Sequence, residues 1–445
     1  MEFETSIKRA SLLYDNVLEQ SGDIRQSKSS HTPIPRDKFF LATLFCFFCG
    51  LVSMLPISFF LSANDYWMYK LRDRTSANYN LNNKTELQTM FVSANSIATS
   101  IPSLISVILT GIYGHKFKMR NNFLIALGSI SSAFIILNIL VKVDTDTWQI
   151  TFFVISLFLL GFIALFVPFL NISLMAYLSR FPVIYIKISL YGSSVGGLFG
   201  STLQLICLSI GNDPILIAFI YFTSGTIVMV FTLSLTYLIK YSPVIQLYEK
   251  NSENVGNKTH SIREFWETAK LMWPLLLMTF ISTSITGFAH PNITNLIVSE
   301  GYTGNQENLW YDKYFAVAAI YFLFDFFQLV GQIFVHPIIT KKNYGWFLAI
   351  QVIRCIAMAP LFMFCNAQPR TLPVWFPHDY QYMIIMVVYS LSFSILTSTA
   401  ILSTPNLSGD KAEIGFNVIL STLITTATFV SLANPFLVKM LGTKK

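Results

Sequence analysis

Tyr321, Asp325, Gln328, Gln332 and His336 recur at steps of four, three, four and four residues inside a Phe-rich, otherwise apolar stretch. At about 3.6 residues per turn this spacing puts all five on one face of a helix. Polar side chains in such a setting either tie helices together or line a path for a polar solute. An ionisable residue at mid-membrane costs about 2.5–3.5 kcal/mol on insertion scales, so it faces a bundle interior or a water-filled cavity. The stripe reads as a pathway, with interhelical hydrogen bonding as the plainer alternative.

The chain that must position this stripe has 445 residues, 53% of them hydrophobic and only 12% charged. A soluble chain carries about 25% charged residues, so the composition is that of an all-α polytopic membrane protein. The net charge of +7 comes from Lys and Arg in short loops between apolar runs. The bias of such loops toward the cytosolic side accounts for the charge without a nucleic-acid partner. The five cysteines lie almost entirely in apolar runs and mark neither a disulfide framework nor a metal site. Cys46 and Cys49 read as small packing residues in the first span. No cofactor is expected. Metallohydrolase and serine-hydrolase motifs are absent, and one isolated aspartate is a poor catalyst, so the chain is not expected to be an enzyme.

In order, residues 1–38 form a polar, cytosolic tail, with Ile7, Ala10, Leu13 and Val17 at the spacing of a short amphipathic helix. This tail has no cleavable signal pattern. Six spans are expected within 39–239, then a flexible cytosolic linker over 240–268, five spans within 269–440, and a short extracellular C-terminus at 441–445. Asn83-Lys-Thr85, after span one, is a glycosylation sequon on the outer side. The Asn257-Lys-Thr259 sequon lies in the linker and is expected to stay unused. Span two, with Ser93, Asn95, Ser96, Thr99, Ser100 and Ser103 around Pro102, is polar enough to face a cavity. Span five carries Gly192, Gly196 and Gly200, a flat strip on which another helix can pack closely. Lys116, Lys118, Arg120, Arg180, Lys187, Lys341 and Lys342 put the loops after spans two, four and eight in the cytosol. The layout is eleven spans, six plus five, with both the N-terminus and the linker inside.

Local sequences in this order resemble the equilibrative nucleoside transporter family. Leu55-Pro56-Ile57-Ser58-Phe59-Phe60-Leu61-Ser62-Ala63 is similar to the family's first-helix Leu-Pro-Trp-Asn-x-Phe-x-x-Ala signature. Trp310-Tyr-Asp-Lys-Tyr314-Phe315 enters span eight as in the family. Arg354, Ala359-Pro360-Leu361, Cys365-Asn366 and His378-Asp379 follow its ninth helix and the next loop, and Pro182 to Ser201 follows its fourth loop and fifth helix. The similarity covers essentially residues 39–440. It implies a major-facilitator-like fold of two bundles around a central cavity, and alternating access. It also implies facilitative uptake of nucleosides and, in some members, nucleobases.

The family's substrate residues carry over only as replacements. Its eighth-helix Asn-x-x-Asp-x-x-Gly-Arg is Asp325-x-x-Gln328-x-x-Gly331-Gln332 here, its fourth-helix Gln is Asn171, and its first-helix Trp-Asn is Ile57-Ser58. Uncharged amides suit a nucleoside, since each offers one acceptor and two donors without a bare charge to desolvate. Asp325 has no basic neighbour on its own helix. Either Arg354, inside span nine, pairs with it, or Asp325 carries a proton and opens a route to proton coupling. The pair is the expected arrangement, because two unpaired charges in a membrane are costly. The expected substrate residues are therefore Asn171, Asp325, Gln328, Gln332, Ile57, Ser58 and Arg354. His290 and His336, at opposite helix ends, are solvated or gate-forming. The expected function is nucleoside transport by a multi-pass protein, monomeric and at the plasma membrane or an intracellular one. Another major-facilitator carrier, for sugars or amino acids and possibly driven by protons, is the alternative.

Overall fold

The computed structural model of the chain describes residues 40–73, 85–113, 119–211, 213–253, 261–302, 308–366 and 373–442. Apolar runs near twenty residues must satisfy every backbone polar group internally, and in lipid the helix does so. Helices α1 (Leu41–Val52) and α2 (Leu55–Ser62) share one span, bent where the Ser53 hydroxyl donates to the Gly50 carbonyl and Pro56 opens the next helix. Proline is tolerated there because a first-turn N–H has no helical partner to lose. Short α3 (Asn64–Lys70) follows, then α4 (Glu86–Tyr113), α5 (Met119–Lys142), α6 (Gln149–Leu178), α7 (Val183–Ile210) and α8 (Pro214–Leu238). The remainder comprises α9 (Pro243–Glu253), α10 (Ile262–Leu271), α11 (Trp273–Phe288), α12 (Leu323–Ile333), α13 (Tyr344–Met363), α14 (Asp379–Leu402), α15 (Thr404–Ser408) and α16 (Ala412–Gly442).

Nine helices among the described residues are long and apolar enough to cross a membrane, or ten if the pair Arg263–Leu271 and Trp273–Leu296, bent by 80°, makes one span. A single bridge between Cys365 and Phe376 is the β-type pairing present among the described residues. The protein is therefore nearly all-helical.

The glycine strip of α7 does the packing its spacing predicts. A Cβ on Gly192 would lie 1.9 Å from the Phe47 carbonyl oxygen, and one on Gly196 2.7 Å from that of Leu51. Across the crossing, a Cβ on Gly50 would lie 1.9 Å from the Ser189 carbonyl oxygen. Nothing larger than hydrogen fits, so α1 and α7 meet backbone to backbone. Beside them, fully buried Trp67 stacks on Phe60 at 4.5 Å and donates from Nε1 to the Phe60 carbonyl at 2.8 Å. A second apolar cluster, with Phe315, Phe324, Phe362, Tyr382 and Tyr389, holds the later helices together.

Three expectations change. The connection at 240–268, read as flexible, contains α9 and α10, and its residues dock. Tyr248 packs on Phe181 at 4.9 Å and the Tyr177 hydroxyl donates to Glu249 at 3.1 Å. Glu267 lies 3.5 Å from Lys411. Ser261 and Glu264 cap α10 reciprocally, which lets so short a helix form. Second, the eighth span is not one regular α-helix over 314–337. It begins in wide π-type turns, Trp310–Tyr314 and Ala316–Phe322, and α12 ends at Ile333. His336 lies past that end, exposed and outside any helix, because the residue before Pro337 is disfavoured in a helix. Third, α4 brings Ser96 to a cavity as expected but spends much of its other polarity on itself and on α6. Thr99 donates to the Asn95 carbonyl, and Ser103 to the carbonyls of Thr99 and Ala164.

The N-terminal tail, Asn83, Lys116, Lys118, Asn257 and residues 443–445 lie outside the described residues.

Candidate functional site

A cavity of about 720 Å³ lies between the earlier and later helices. Small-molecule sites span about 300–1,000 Å³. Its wall from the earlier helices is formed by Met54, Leu61, Ser96, Leu190, Ser193 and Ser194. The opposite wall carries Thr283, Thr286 and His290 from α11 and the segment after it, Gln328 and Gln332 from α12, and Ser394, Thr397 and Ser398 from α14. Leu423, Ala427, Val430 and Ser431 of α16 close it.

The two glutamines are held by a ladder between α12 and α14. Ser390, Ser394 and Ser398 step every four residues and meet Phe324, Gln328 and Gln332, which do the same. Ser390 donates to the Phe324 carbonyl, and Ser394 to the Gln328 carbonyl at 2.7 Å. Gln332 donates from its amide nitrogen to the Ser398 hydroxyl at 2.8 Å. Gly331 permits the approach, since a Cβ there would meet Ser394 at 2.8 Å. Gln332 is 3% exposed, and its amide oxygen has no partner among the described residues. An unsatisfied buried acceptor at a cavity wall costs about 1–3 kcal/mol and is relieved by a donor entering the cavity.

The other expected residues are dispersed. Asp325 points at α7: a Cβ on Gly197 would lie 2.8 Å from its Oδ1, and Ser201 is the neighbouring hydroxyl. Ser58 meets the same strip, its Oγ 3.4 Å from where a Cβ of Gly200 would be. Asp325 and Ser58 thus stand behind the cavity wall, at the seam of α2, α7 and α12. Ile57 and Asn171 are partly buried and outside the cavity lining. Arg354 is 6% exposed and turned toward α14. It donates from Nε to Ser392 at 2.9 Å and from a terminal nitrogen to the Tyr389 carbonyl at 3.4 Å, and its guanidinium lies 4.9 Å from the Tyr389 ring.

The expected Asp325–Arg354 ion pair is not formed in this structure. Asp325 instead faces the Ser201 hydroxyl of α7, while Arg354 donates to the Ser392 hydroxyl and the Tyr389 carbonyl of α14, which is how α13 holds a buried cation without a counter-ion. Tyr321 also leaves the stripe, donating to Asn295 at 2.9 Å. The wide π-type turns before Leu323 take it off the face that carries Gln328 and Gln332.

The Asn366 and Asp379 motif is structural. Asn366 exchanges hydrogen bonds with the Val298 backbone, and Asp379 accepts from the Ser299 hydroxyl and the Glu300 N–H. Sequence reasoning missed Met54 and Leu61, although they flank Ile57 and Ser58 at helical spacing. It also missed the serine ladder, whose four-residue period in residues 380–403 was the available signal.

A largely apolar cavity with a few convergent polar groups, between two groups of long apolar helices, is the architecture expected of a membrane carrier. The fold agrees: the chain is similar to a major facilitator superfamily proton:xylose symporter, with a TM-score of 0.59, 12% identity and 90% and 89% of the two chains covered. That likeness shows the fold alone. Residues 157–426, well over half the chain, match the nucleoside transporter family. The chain belongs to that family, and it is a carrier and not an enzyme. It is 23% identical to equilibrative nucleoside transporter 3 of Rattus norvegicus, covering 84% of this chain and 83% of the relative. Against equilibrative nucleoside transporter 1 of Homo sapiens the identity is 23%, over 82% of this chain and 89% of the relative.

Proposed function

We propose that the chain carries nucleosides across a membrane by facilitative alternating access, binding them in the cavity between its two helical halves. The observation that carries this reading is Gln328 and Gln332 on the wall of a 720 Å³ cavity, in a member of the nucleoside transporter family. Their amides can grip ribose hydroxyls and base edges without desolvating a full charge. Met54, Leu61 and Leu190 opposite offer apolar surface for the base or sugar faces. Ile57 and Ser58 share a helical face with Met54 and Leu61, and they meet the solute as the halves rock. Asp325, at the α7–α12 seam, is placed to sense that rocking. Asn171 and Arg354 act on the solute indirectly, through packing of their helices.

The span count we favour is eleven, six plus five. It reads the run Asp379–Ala433, 55 residues long, as the two spans α14 and α16, and the bent pair Arg263–Leu296 as one. In this layout residues 1–38, the connection 240–268 and the Arg180 loop are cytosolic, and the C-terminus and Asn83 are outside. We assign a monomer at the plasma membrane, with nucleobases as further candidate substrates.

The test is uptake of labelled purine and pyrimidine nucleosides, nucleobases and a hexose, in cells lacking their own nucleoside uptake and at two external pH values. Saturable nucleoside uptake that hexose does not compete and that pH leaves unchanged is the expected result. Hexose uptake without nucleoside uptake would sink the reading in favour of a sugar carrier. A steep gain at acid pH would overturn the facilitative part and point to Asp325.

A further inference from the structure

His290 is a titratable side chain at the cavity wall to which the family resemblance assigns no role. Helix α11 stops at Phe288, and the backbone of His290 leaves the helical region, with φ −126° and ψ 129°. This break turns the residue onto the cavity wall. Its ring stacks on Phe324, with centroids 4.0 Å apart and planes 23° from parallel, and Tyr321 stands edge-on at 5.9 Å. The ring therefore has one orientation, fixed from one face.

Its nitrogens are distinguished by Thr294. Nδ1 lies 3.1 Å from the Thr294 hydroxyl oxygen. That hydroxyl has one proton and is also placed to donate to the Pro291 carbonyl at 3.2 Å; with the proton directed there, its oxygen accepts from the ring. Nδ1 is then the N–H of a neutral imidazole, and Nε2 is the bare acceptor. Nε2 has no partner among the described residues. The Gln332 amide oxygen is left in the same condition, because its amide nitrogen is spent on Ser398. Two acceptors on one wall, each aimed by a donor–acceptor chain behind it, are complementary to N–H or O–H groups of a solute.

We propose that His290 is a specificity-determining residue which reads one hydrogen-bond donor of the transported nucleoside through its Nε2. This rests on the nucleoside-transport reading. Nucleosides have several donors, namely the ribose 2′-, 3′- and 5′-hydroxyls and the base N–H groups. A site that is built to accept from one of them discriminates against the analogue that lacks it, because the acceptor is then left unpaired.

Uptake kinetics, normalised to protein in the membrane, test this with adenosine and its 2′-deoxy, 3′-deoxy, 5′-deoxy and N6,N6-dimethyl analogues. They are measured for the natural chain, His290→Phe and His290→Gln. In the natural chain the analogue missing the donor that His290 reads should show a KM raised on the order of tenfold. In His290→Phe that penalty should vanish, with adenosine itself now at the raised KM, and the other analogues should keep their ratios. His290→Gln, which retains an acceptor, should recover part of the discrimination. His290→Leu replaces His290→Phe if the latter fails to accumulate. Analogue penalties that persist undiminished in the acceptor-free variant overturn the proposal and leave nucleoside transport standing. Absence of saturable adenosine and uridine uptake by the natural chain overturns the transport reading, and this proposal with it.

Discussion

The two walls of the cavity are built by opposite means. The earlier helices are welded: Gly50, Gly192 and Gly196 bring α1 and α7 into backbone contact, and the cavity receives from them Met54, Leu61, Leu190 and small serines. The later helices are zipped by side chains, with Ser390, Ser394 and Ser398 serving the carbonyls and amide of α12. From them the cavity receives Gln328, Gln332 and His290. Packing of small residues leaves only small hydroxyls over, such as that of Ser194, whereas a hydrogen-bond ladder aims the longer amide groups that remain unpaired. The welded half therefore acts as a shaped apolar support, and the zipped half carries recognition.

The comparison breaks most visibly at the weld. Gly192→Leu would drive a side chain into the Phe47 carbonyl, where even a Cβ would lie at 1.9 Å. Backbone cannot yield as a side-chain tip does, so the expected result is loss of folded protein from the membrane. Gly111→Ala, at a position with nothing within 4 Å of an added Cβ, is the matched control and should accumulate normally. Detergent-extracted yield and thermal stability decide it, and normal yield of Gly192→Leu would show that the weld is not needed.

Next in size are the cavity residues. Gln332→Leu removes a recognised acceptor and leaves Ser398 without its donor. The expected loss in kcat/KM for nucleoside uptake is about ten- to a hundred-fold, the range for a buried hydrogen bond left incomplete. Met54→Leu on the opposite wall conserves volume and should change kcat/KM by about threefold or less. Equal losses at the two positions would erase the division between the walls.

The halves also meet away from the cavity, where Arg180 beside α6 bonds Glu413 of α16 at 3.1 Å, both about a quarter exposed. Ion pairs this accessible to solvent contribute about 0–1 kcal/mol. Arg180→Gln should therefore shift the balance of conformers, and with it the turnover rate, by about fivefold at most. The exchange Arg180→Glu with Glu413→Arg should restore it, and a swapped pair that behaves like the single variant would show the contact to be incidental.

What the sequence revealed follows the range of the physics involved. Helix existence is a local consequence of apolar run length, and the glycine strip declares itself through its period, so both could be read directly. Gln328 and Gln332 were legible because the period that puts two amides on one face holds through α12. Tyr321 and His336 share that period on paper, but π-type turns and Pro337 break the helix on either side of α12. Docking of the connection depended on partners far along the chain, Phe181 and Lys411, and no window around residue 248 or 267 contains them. Asp325 and Arg354 were paired by the argument that lone charges in lipid are costly. In the structure the Ser201 hydroxyl of α7 stands beside Asp325, and the Ser392 hydroxyl and Tyr389 carbonyl of α14 take up Arg354; in sequence these differ little from ordinary packing residues.

Those two charges supply the smallest expected effect. Asp325 faces Gly197 and Ser201 on α7, while Arg354 faces Ser392 and Tyr389 on α14, so neither depends on the other for its hydrogen bonds. Asp325→Asn keeps the shape and the ability to accept, and Arg354→Met keeps much of the bulk in the α13–α14 seam. Each single change should lower thermal stability or uptake by its own amount. Independent sites add to within about 0.3–0.5 kcal/mol, so the double variant should equal the sum of the singles to that precision. Coupling above about 1 kcal/mol would mean that the two charges do meet in another conformer of the transport cycle. The charge pair would then hold that second state together, and recognition and rocking would both belong to the zipped half.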